Sequence, residues 1–102
     1  MSTLFLLFFD HGPSWVPGVS TRKQPLWDEH AVFVDWLFEQ GRIVLAGPYA
    51  DNSRALVIVK ARDAEEAKAL YRDDPWAKAG ILKVSEAIGW TVFLSRLDEQ
   101  GA

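Results

Sequence analysis

The stretch that decides the fold is Gly41–Ala61, GRIVLAGPYADNSRALVIVKA. Its two apolar segments, Arg42–Ala46 and Arg54–Ala61, predict two β-strands. Gly47-Pro48 is expected to end the first strand at a turn, and Asn52-Ser53 marks a turn before the second. The stretch therefore predicts two consecutive strands with no helix between them.

A helix is predicted on each side of these two strands. Leu26–Gln40 is amphipathic, and Gly41 is a natural helix stop. Ala64–Arg72 forms the second helix, with Asp63 as its N-cap, and a short helical turn begins at Pro75. Helices therefore flank the strand pair on both sides along the chain.

Two further strands are expected at the ends of the chain. Thr3–Phe9 is continuously apolar and aromatic, as in a strand covered on both faces. The run is too short to span a membrane and lacks the basic region of a signal peptide, so a buried first strand is expected. A last strand is predicted within Val84–Leu97, with its core at Trp90–Leu94. The tail, Asp98–Ala102, is expected to be frayed.

The order β-α-β-β-α-β predicts an α+β fold of the ferredoxin-like type, in a single domain over residues 1–102. Such a fold has a four-stranded antiparallel sheet with two helices on one face. Strands one, three and four are apolar at consecutive positions, the last at Val92-Phe93-Leu94, so both faces of the sheet are apolar. Because the helices cover only one face, we expect a homodimer that packs sheet against sheet.

The amino-acid composition narrows the classes of chemistry and of partner expected for the chain. The chain contains no cysteine, which excludes thiolate catalysis and thiolate metal sites and fits a cytoplasmic protein. The net charge is −3 with acids and bases interspersed, so neither nucleic acid nor a membrane is expected as a partner. Five Trp and six Phe are a heavy aromatic load, able to fill a core, a pocket or an interface.

The main chemical lead is a histidine on the apolar side of the first helix. His30 is in register there with four apolar residues: Leu26, Phe33, Val34 and Leu37. Burying an imidazole costs free energy unless both nitrogens are bonded or one is used. Together with a carboxylate of the Asp73-Asp74-Pro75-Trp76 run, far downstream, it would make an acid/base pair. The alternatives are an inert core or interface histidine and an aspartate that only caps the helix beginning at Pro75.

The segment Asp10–Pro25 is predicted as a long loop, rich in Gly, Pro and Ser and carrying Trp15. Long loops inside compact domains are often functional, so a lid is one interpretation. His11 is expected in this loop, exposed. No metal site is predicted from Asp10, His11 and His30, because they lack ligand spacing.

Several short motifs together resemble the YCII-related (YciI-like) family. They are Glu29-His30, Glu39-Gln40-Gly41-Arg42, Leu45-Ala46-Gly47-Pro48, Asp74-Pro75-Trp76 and Ala79-Gly80. Their order and spacing agree over roughly Leu4 to Phe93. The resemblance implies a dimeric α/β barrel of ferredoxin-like subunits and an active site at His30 and Asp74. One type of family member is a dehydrochlorinase acting on a chlorinated hydroxyquinol.

A His–Asp pair supports proton transfer without a cofactor, and no flavin, nucleotide or metal motif is found in the sequence. The carboxylate would hold one imidazole nitrogen while the other moves a proton on a small aromatic or carbonyl compound, as in a lyase or isomerase. The residues expected to bind this substrate are Trp15, Trp27, Gly47, Pro48, Tyr49, Pro75 and Trp76. For most of them the plainer interpretation is core packing, a turn or a helix start.

Three classes of function stay open: a cofactor-free enzyme, a non-catalytic small-molecule-binding or accessory dimer, and an interaction protein with a vestigial pocket. The first loop is longer than the common family pattern, and the turn at Asp51-Asn52-Ser53 is shorter. Both differences would reshape the mouth of the pocket. The substrate is therefore not implied by the resemblance.

Overall fold

The computed structural model describes residues 3–97 and contains, in that range, four strands and three α-helices. The elements are β1 (Thr3–His11), α1 (Trp27–Glu39), β2 (Ile43–Pro48), β3 (Arg54–Ala61), α2 (Ala64–Ala69), α3 (Pro75–Ala79) and β4 (Leu82–Trp90). A short 3₁₀ helix, Thr21–Lys23, lies in the connection between β1 and α1. The predicted frayed tail, Asp98–Ala102, lies outside the described residues. None of the helices in residues 3–97 has the length and apolar character needed to cross a membrane.

The sheet has the order β2-β3-β1-β4, and every neighbouring pair is antiparallel. This confirms the predicted α+β, ferredoxin-like arrangement. The inner face of the sheet presents Phe5, Leu7 and Phe9 of β1 to the helices, and these side chains are buried. They join Leu37 of α1 and Trp76 of α3 in one hydrophobic core.

The prediction for the last strand was wrong in position. β4 spans Leu82–Trp90, and Phe93 and Leu94 are 91% and 93% exposed instead of forming the strand core. The register explains the difference, since Trp90 already pairs with Leu4 near the beginning of β1. Residues beyond Trp90 have almost no strand left to pair with, however apolar they are.

The strand ends also differ from the expectations around Gly47-Pro48. β2 continues through both residues, which pair with Leu56 and Ala55 of β3, so the turn follows Pro48. Proline is tolerated there because β2 is an edge strand. The predicted N-cap of α2 is confirmed, because Asp63 accepts a 2.8 Å hydrogen bond from the Glu66 N–H.

No helix formed by residues 3–97 covers the outer face of the sheet. A row of apolar side chains crosses all four strands there: Leu45, Ile58, Leu6 and Ile88. Leu45 and Ile88 are 47% and 43% exposed. The apolar outer face is therefore present, but its β4 members are Ile88 and Trp90 rather than the Val92–Leu94 run.

Candidate active site

The position of Asp74 is fixed by the N-terminus of α3. It is the N-cap residue of that helix, with an extended backbone, and its Oδ1 accepts the Trp76 N–H at 3.1 Å. Pro75 occupies the first turn, where its missing N–H costs no hydrogen bond. Asp74 is 1% exposed, so its carboxylate needs a partner for its charge.

The partner is His30, in the first turn of α1. Its Nδ1 lies 2.9 Å from Oδ1 and 3.0 Å from Oδ2 of Asp74. A carboxylate only accepts, so Nδ1 carries the hydrogen and donates it. Structure thus brings together the two residues that sequence suggested as an acid/base pair, which are 44 positions apart.

The second imidazole nitrogen of His30 is free to act. Within residues 3–97 no protein atom bonds to Nε2, and no buried side-chain nitrogen or oxygen there is left without a partner. Nε2 therefore keeps accessible surface, and the imidazole lines a cavity. With Nδ1 protonated, the lone pair of Nε2 is available to take a proton from a bound molecule.

The imidazole is also held by aromatic rings. Trp76 stacks on His30 with ring centroids 3.9 Å apart, and Trp27 lies tilted at 5.7 Å. The Trp76 indole N–H donates a 2.7 Å bond to the Pro25 carbonyl, just before α1. α3 thus fixes the imidazole by a hydrogen bond and a stacked ring.

The cavity has a volume of about 490 Å³, a size that suits a small molecule. Its inner wall is the sheet, with Phe9, Val57 and Leu82, and His30 and Trp76 lie along the helix side. The residues nearer the connecting loops that also line it are His11, Trp15, Thr21, Arg22, Trp27, Asn52 and Arg54. The walls are mainly apolar and aromatic, with a few polar groups.

The connection between β1 and α1 is organised around Gln24. This buried amide accepts the Val16 N–H at 2.9 Å and donates to the carbonyls of Val16 and Val19, both at 2.8 Å. The Thr21 hydroxyl bonds to Asn52 at 3.2 Å, which links the loop to the β2–β3 turn across the cavity. Whether this segment opens as a lid stays a prediction.

Five of the seven predicted substrate-binding residues line the cavity: Trp15, Trp27, Gly47, Pro48 and Trp76. Tyr49 and Pro75 do not. Tyr49 lies in the β2–β3 turn, where its N–H donates to the Arg54 carbonyl. Pro75 is the first residue of α3. The binding roles stay predictions for all seven.

His11 differs from its expectation. It is the last residue of β1 rather than part of an exposed loop, is half-buried, and stacks on Trp15 with centroids 3.7 Å apart. The neighbouring Asp10 pairs with Arg54 at 2.6 Å. Over residues 3–97 no group of three or more His, Cys, Asp or Glu residues is arranged to hold a metal ion.

Tyr71 and Arg22 are cavity residues that sequence reasoning missed. Tyr71 follows α2 and is 3% exposed, and burial together with the nearby Asp74 charge raises its pKa. Tyr71 lies three residues before Asp74, and the turn in which the Asp74 N–H bonds to the Tyr71 carbonyl brings the two residues together. Arg22 lies 6.0 Å above the Trp27 ring, and nothing in the sequence pattern marked it.

Fold and site together define an α+β domain with a buried His–Asp pair opening into an aromatic cavity. The sequence model of the YCII-related domain matches residues 3–91 of the chain. The chain therefore belongs to the YCII-related family. A comparison with curated protein sequences finds no significant match.

Proposed function

We propose that the protein is a cofactor-independent enzyme in which His30 and Asp74 move a proton on a small aromatic or carbonyl compound. The observation that carries this is the hydrogen bond of the buried Asp74 carboxylate to Nδ1 of His30, in an imidazole that lines the cavity and whose Nε2 is not bonded by any group of residues 3–97. Non-catalytic binding of a small molecule by the same protein is the alternative that the experiment must distinguish from catalysis.

In the proposed reaction Nε2 takes a proton from the substrate. His30 becomes an imidazolium, and the Asp74 carboxylate, 2.9 Å from Nδ1, stabilises that positive charge. Trp76 keeps the ring plane fixed during the transfer. The proton then returns to another substrate atom in an isomerisation, or leaves with a departing anion in an elimination. Such acid/base assistance contributes roughly 10²- to 10⁴-fold in rate, which suits substrates with acidic protons.

The cavity walls support a planar substrate. Trp15 and Trp27 line it, and Trp15 meets the Trp76 ring edge-on at 6.0 Å. Aromatic faces pack well against flat unsaturated molecules. Phenols, lactones and enolisable carbonyl compounds are therefore the classes to be screened.

We also propose that two copies pack through the outer face of the sheet. Its row of Leu45, Ile58, Leu6 and Ile88 runs across the four strands and would match itself about a two-fold axis. A second sheet is a natural occupant because antiparallel sheets pack face to face through such apolar rows. Leu6→Glu should leave a folded monomer, measurable by analytical ultracentrifugation; an unchanged dimer, or a monomeric wild type, contradicts this assembly.

The proton-transfer proposal is tested by hydrogen exchange in D₂O. NMR would follow loss of the ring C–H signals of phenols and of the C–H signals beside the carbonyl groups of lactones and 1,3-dicarbonyl compounds. Wild-type protein should accelerate exchange in at least one class, and His30→Asn should abolish that acceleration. Saturable binding with no exchange in any class, and the same affinity in His30→Asn, would favour the binding protein instead.

A further inference from the structure

Tyr71 is a buried phenol that the proton transfer above does not use. Its ring packs against Phe9 and Phe33, with centroids 4.7 and 6.2 Å away, and only 3% of the residue is exposed. Between residues 3 and 97 no protein group forms a hydrogen bond with the Tyr71 hydroxyl. In the same range, every side-chain oxygen that has no accessible surface does have a hydrogen-bond partner. The hydroxyl therefore keeps accessible surface, and Tyr71 lines the cavity.

The same carboxylate influences both Tyr71 and His30. The Asp74 carboxylate accepts a hydrogen bond from Nδ1 of His30. The backbone N–H of Asp74 donates to the Tyr71 carbonyl at 3.1 Å, which holds Tyr71 beside it. Burial in apolar surroundings, reinforced by the Asp74 charge, raises the pKa of Tyr71. The phenol consequently stays protonated at neutral pH and keeps a hydrogen to donate.

We propose that the Tyr71 hydroxyl donates a hydrogen bond to the substrate oxygen that becomes negative when Nε2 of His30 takes the proton. This inference rests on the proposed function and narrows the substrate class to compounds in which removal of the proton leaves negative charge on an oxygen, such as enolisable carbonyls and phenols. A donor set in place before the reaction stabilises a developing oxyanion more than the neutral oxygen of the substrate, and so accelerates the reaction.

The proposed enolisation needs no oxidant, reductant or other reactant. When a C–H bond beside a carbonyl breaks, its electron pair forms the C=C bond of an enolate, and the carbonyl pair moves onto oxygen. The proton resides on Nε2, and the Tyr71 O–H keeps its own proton while bonding to the enolate oxygen. Return of the proton from Nε2 to a different carbon completes an isomerisation.

The test uses 4-nitrophenolate as a stable oxyanion probe, titrated by absorbance at a pH where the free probe is ionised. Tyr71→Phe should weaken its binding roughly 10- to 100-fold, because a hydrogen bond to a charged group is lost. Nitrobenzene, which lacks the oxyanion, should bind equally to both proteins. Thr91→Val, which removes an exposed hydroxyl outside the cavity, is the control variant and should bind 4-nitrophenolate like wild type.

A second readout does not depend on the variant folding. In wild-type protein carrying ¹³Cζ-labelled tyrosine, the Tyr71 resonance should move when 4-nitrophenolate binds and stay in place with nitrobenzene. Equal 4-nitrophenolate affinity in Tyr71→Phe, an unmoved Tyr71 resonance, or no binding to wild type overturns the inference. The D₂O exchange assay of His30→Asn is scored separately, so proton transfer by His30 survives or fails on its own result.

Discussion

The imidazole of His30 lies parallel to the indole of Trp76, with ring centroids 3.9 Å apart and planes inclined by 8°. Asp74, two residues before Trp76, bonds to Nδ1 of the same imidazole. One five-residue helix, Pro75–Ala79, and its capping residue thus supply both the charge and the ring that orient His30. Changes in α3 are therefore expected to affect activity and stability by separable routes.

Asp74→Asn should separate catalysis from helix capping. Asparagine is as good an N-cap as aspartate, so α3 should keep its first turn. The negative charge facing Nδ1 is lost, and the rate of the D₂O exchange reaction should fall roughly 10²- to 10⁴-fold. Asp74→Ala also loses the cap and should be a further ~1 kcal/mol less stable in urea unfolding. An Asn variant with the wild-type exchange rate would contradict a role for the charge.

Trp76→Ala should strongly destabilise the protein. Trp76 is 1% exposed and packs in the core, and large-to-small substitutions of this kind cost about 3–5 kcal/mol. Trp36, 53% exposed on α1, provides the matched control, and Trp36→Ala should cost much less. The comparison is made by chemical denaturation of both variants, and similar losses in the two would show that Trp76 is not a core residue.

The raised pKa of Tyr71 predicts that the free energy of unfolding decreases at alkaline pH. An unfolded tyrosine ionises near pH 10, whereas burial and the Asp74 charge raise the pKa of Tyr71 in the folded protein. The unfolded chain therefore loses this proton first, so the contribution of Tyr71 is complete below about pH 10 and decreases as the pH rises toward the raised pKa. Unfolding free energies measured from pH 8 upward should fall more steeply for wild type than for Tyr71→Phe. Parallel curves would contradict the raised pKa.

Gly12→Ala should disturb the connection between β1 and α1. A Cβ at Gly12 would collide with the backbone carbonyl of Gly80, and a backbone atom does not rotate away. The Gly12 N–H donates to Ile81 at 2.9 Å, so the close approach is part of the hydrogen bonding. We expect a loss of about 1–3 kcal/mol. Gly47→Ala has no neighbour within 4 Å and is the stability control; equal thermal midpoints would contradict the contact.

The order of elements was predictable because long apolar segments and helix stops carry strong local signals. Thr3–Phe9, Arg54–Ala61 and the helix ending before Gly41 all reappear, within two residues at each end. β4 was misplaced since its position depends on pairing with β1, and Phe93-Leu94 is as apolar as any strand. α2 stops at Ala69 instead of Arg72, where a turn redirects the chain toward Asp74.

The candidate site was predictable in part. The residue types alone left His30 as either a core histidine or an acid/base group, and the family resemblance pointed to Asp74 as its partner. Tyr71 and Arg22 were missed because a tyrosine on a predicted helix and an arginine in a loop look ordinary in sequence.

The backbone of Leu26 was not predictable either. Leu26 precedes α1 with a left-handed backbone (φ 63°), a conformation that leucine rarely adopts and that no apolar periodicity predicts.

The three hydrogen bonds of Gln24 make the segment between β1 and α1 a unit with its own internal support. The side chains of His30 and Asp74 bond to each other and to the Trp76 N–H of α3, and to no group of this segment. After gene duplication, a copy of this chain could accumulate changes in residues 13–23, and so alter which molecules enter, while its proton-transfer groups remain undisturbed. Because the side-chain hydrogen bonds of Gln24 are separate from those between His30 and Asp74, the scaffold can change its specificity without losing its proton-transfer pair.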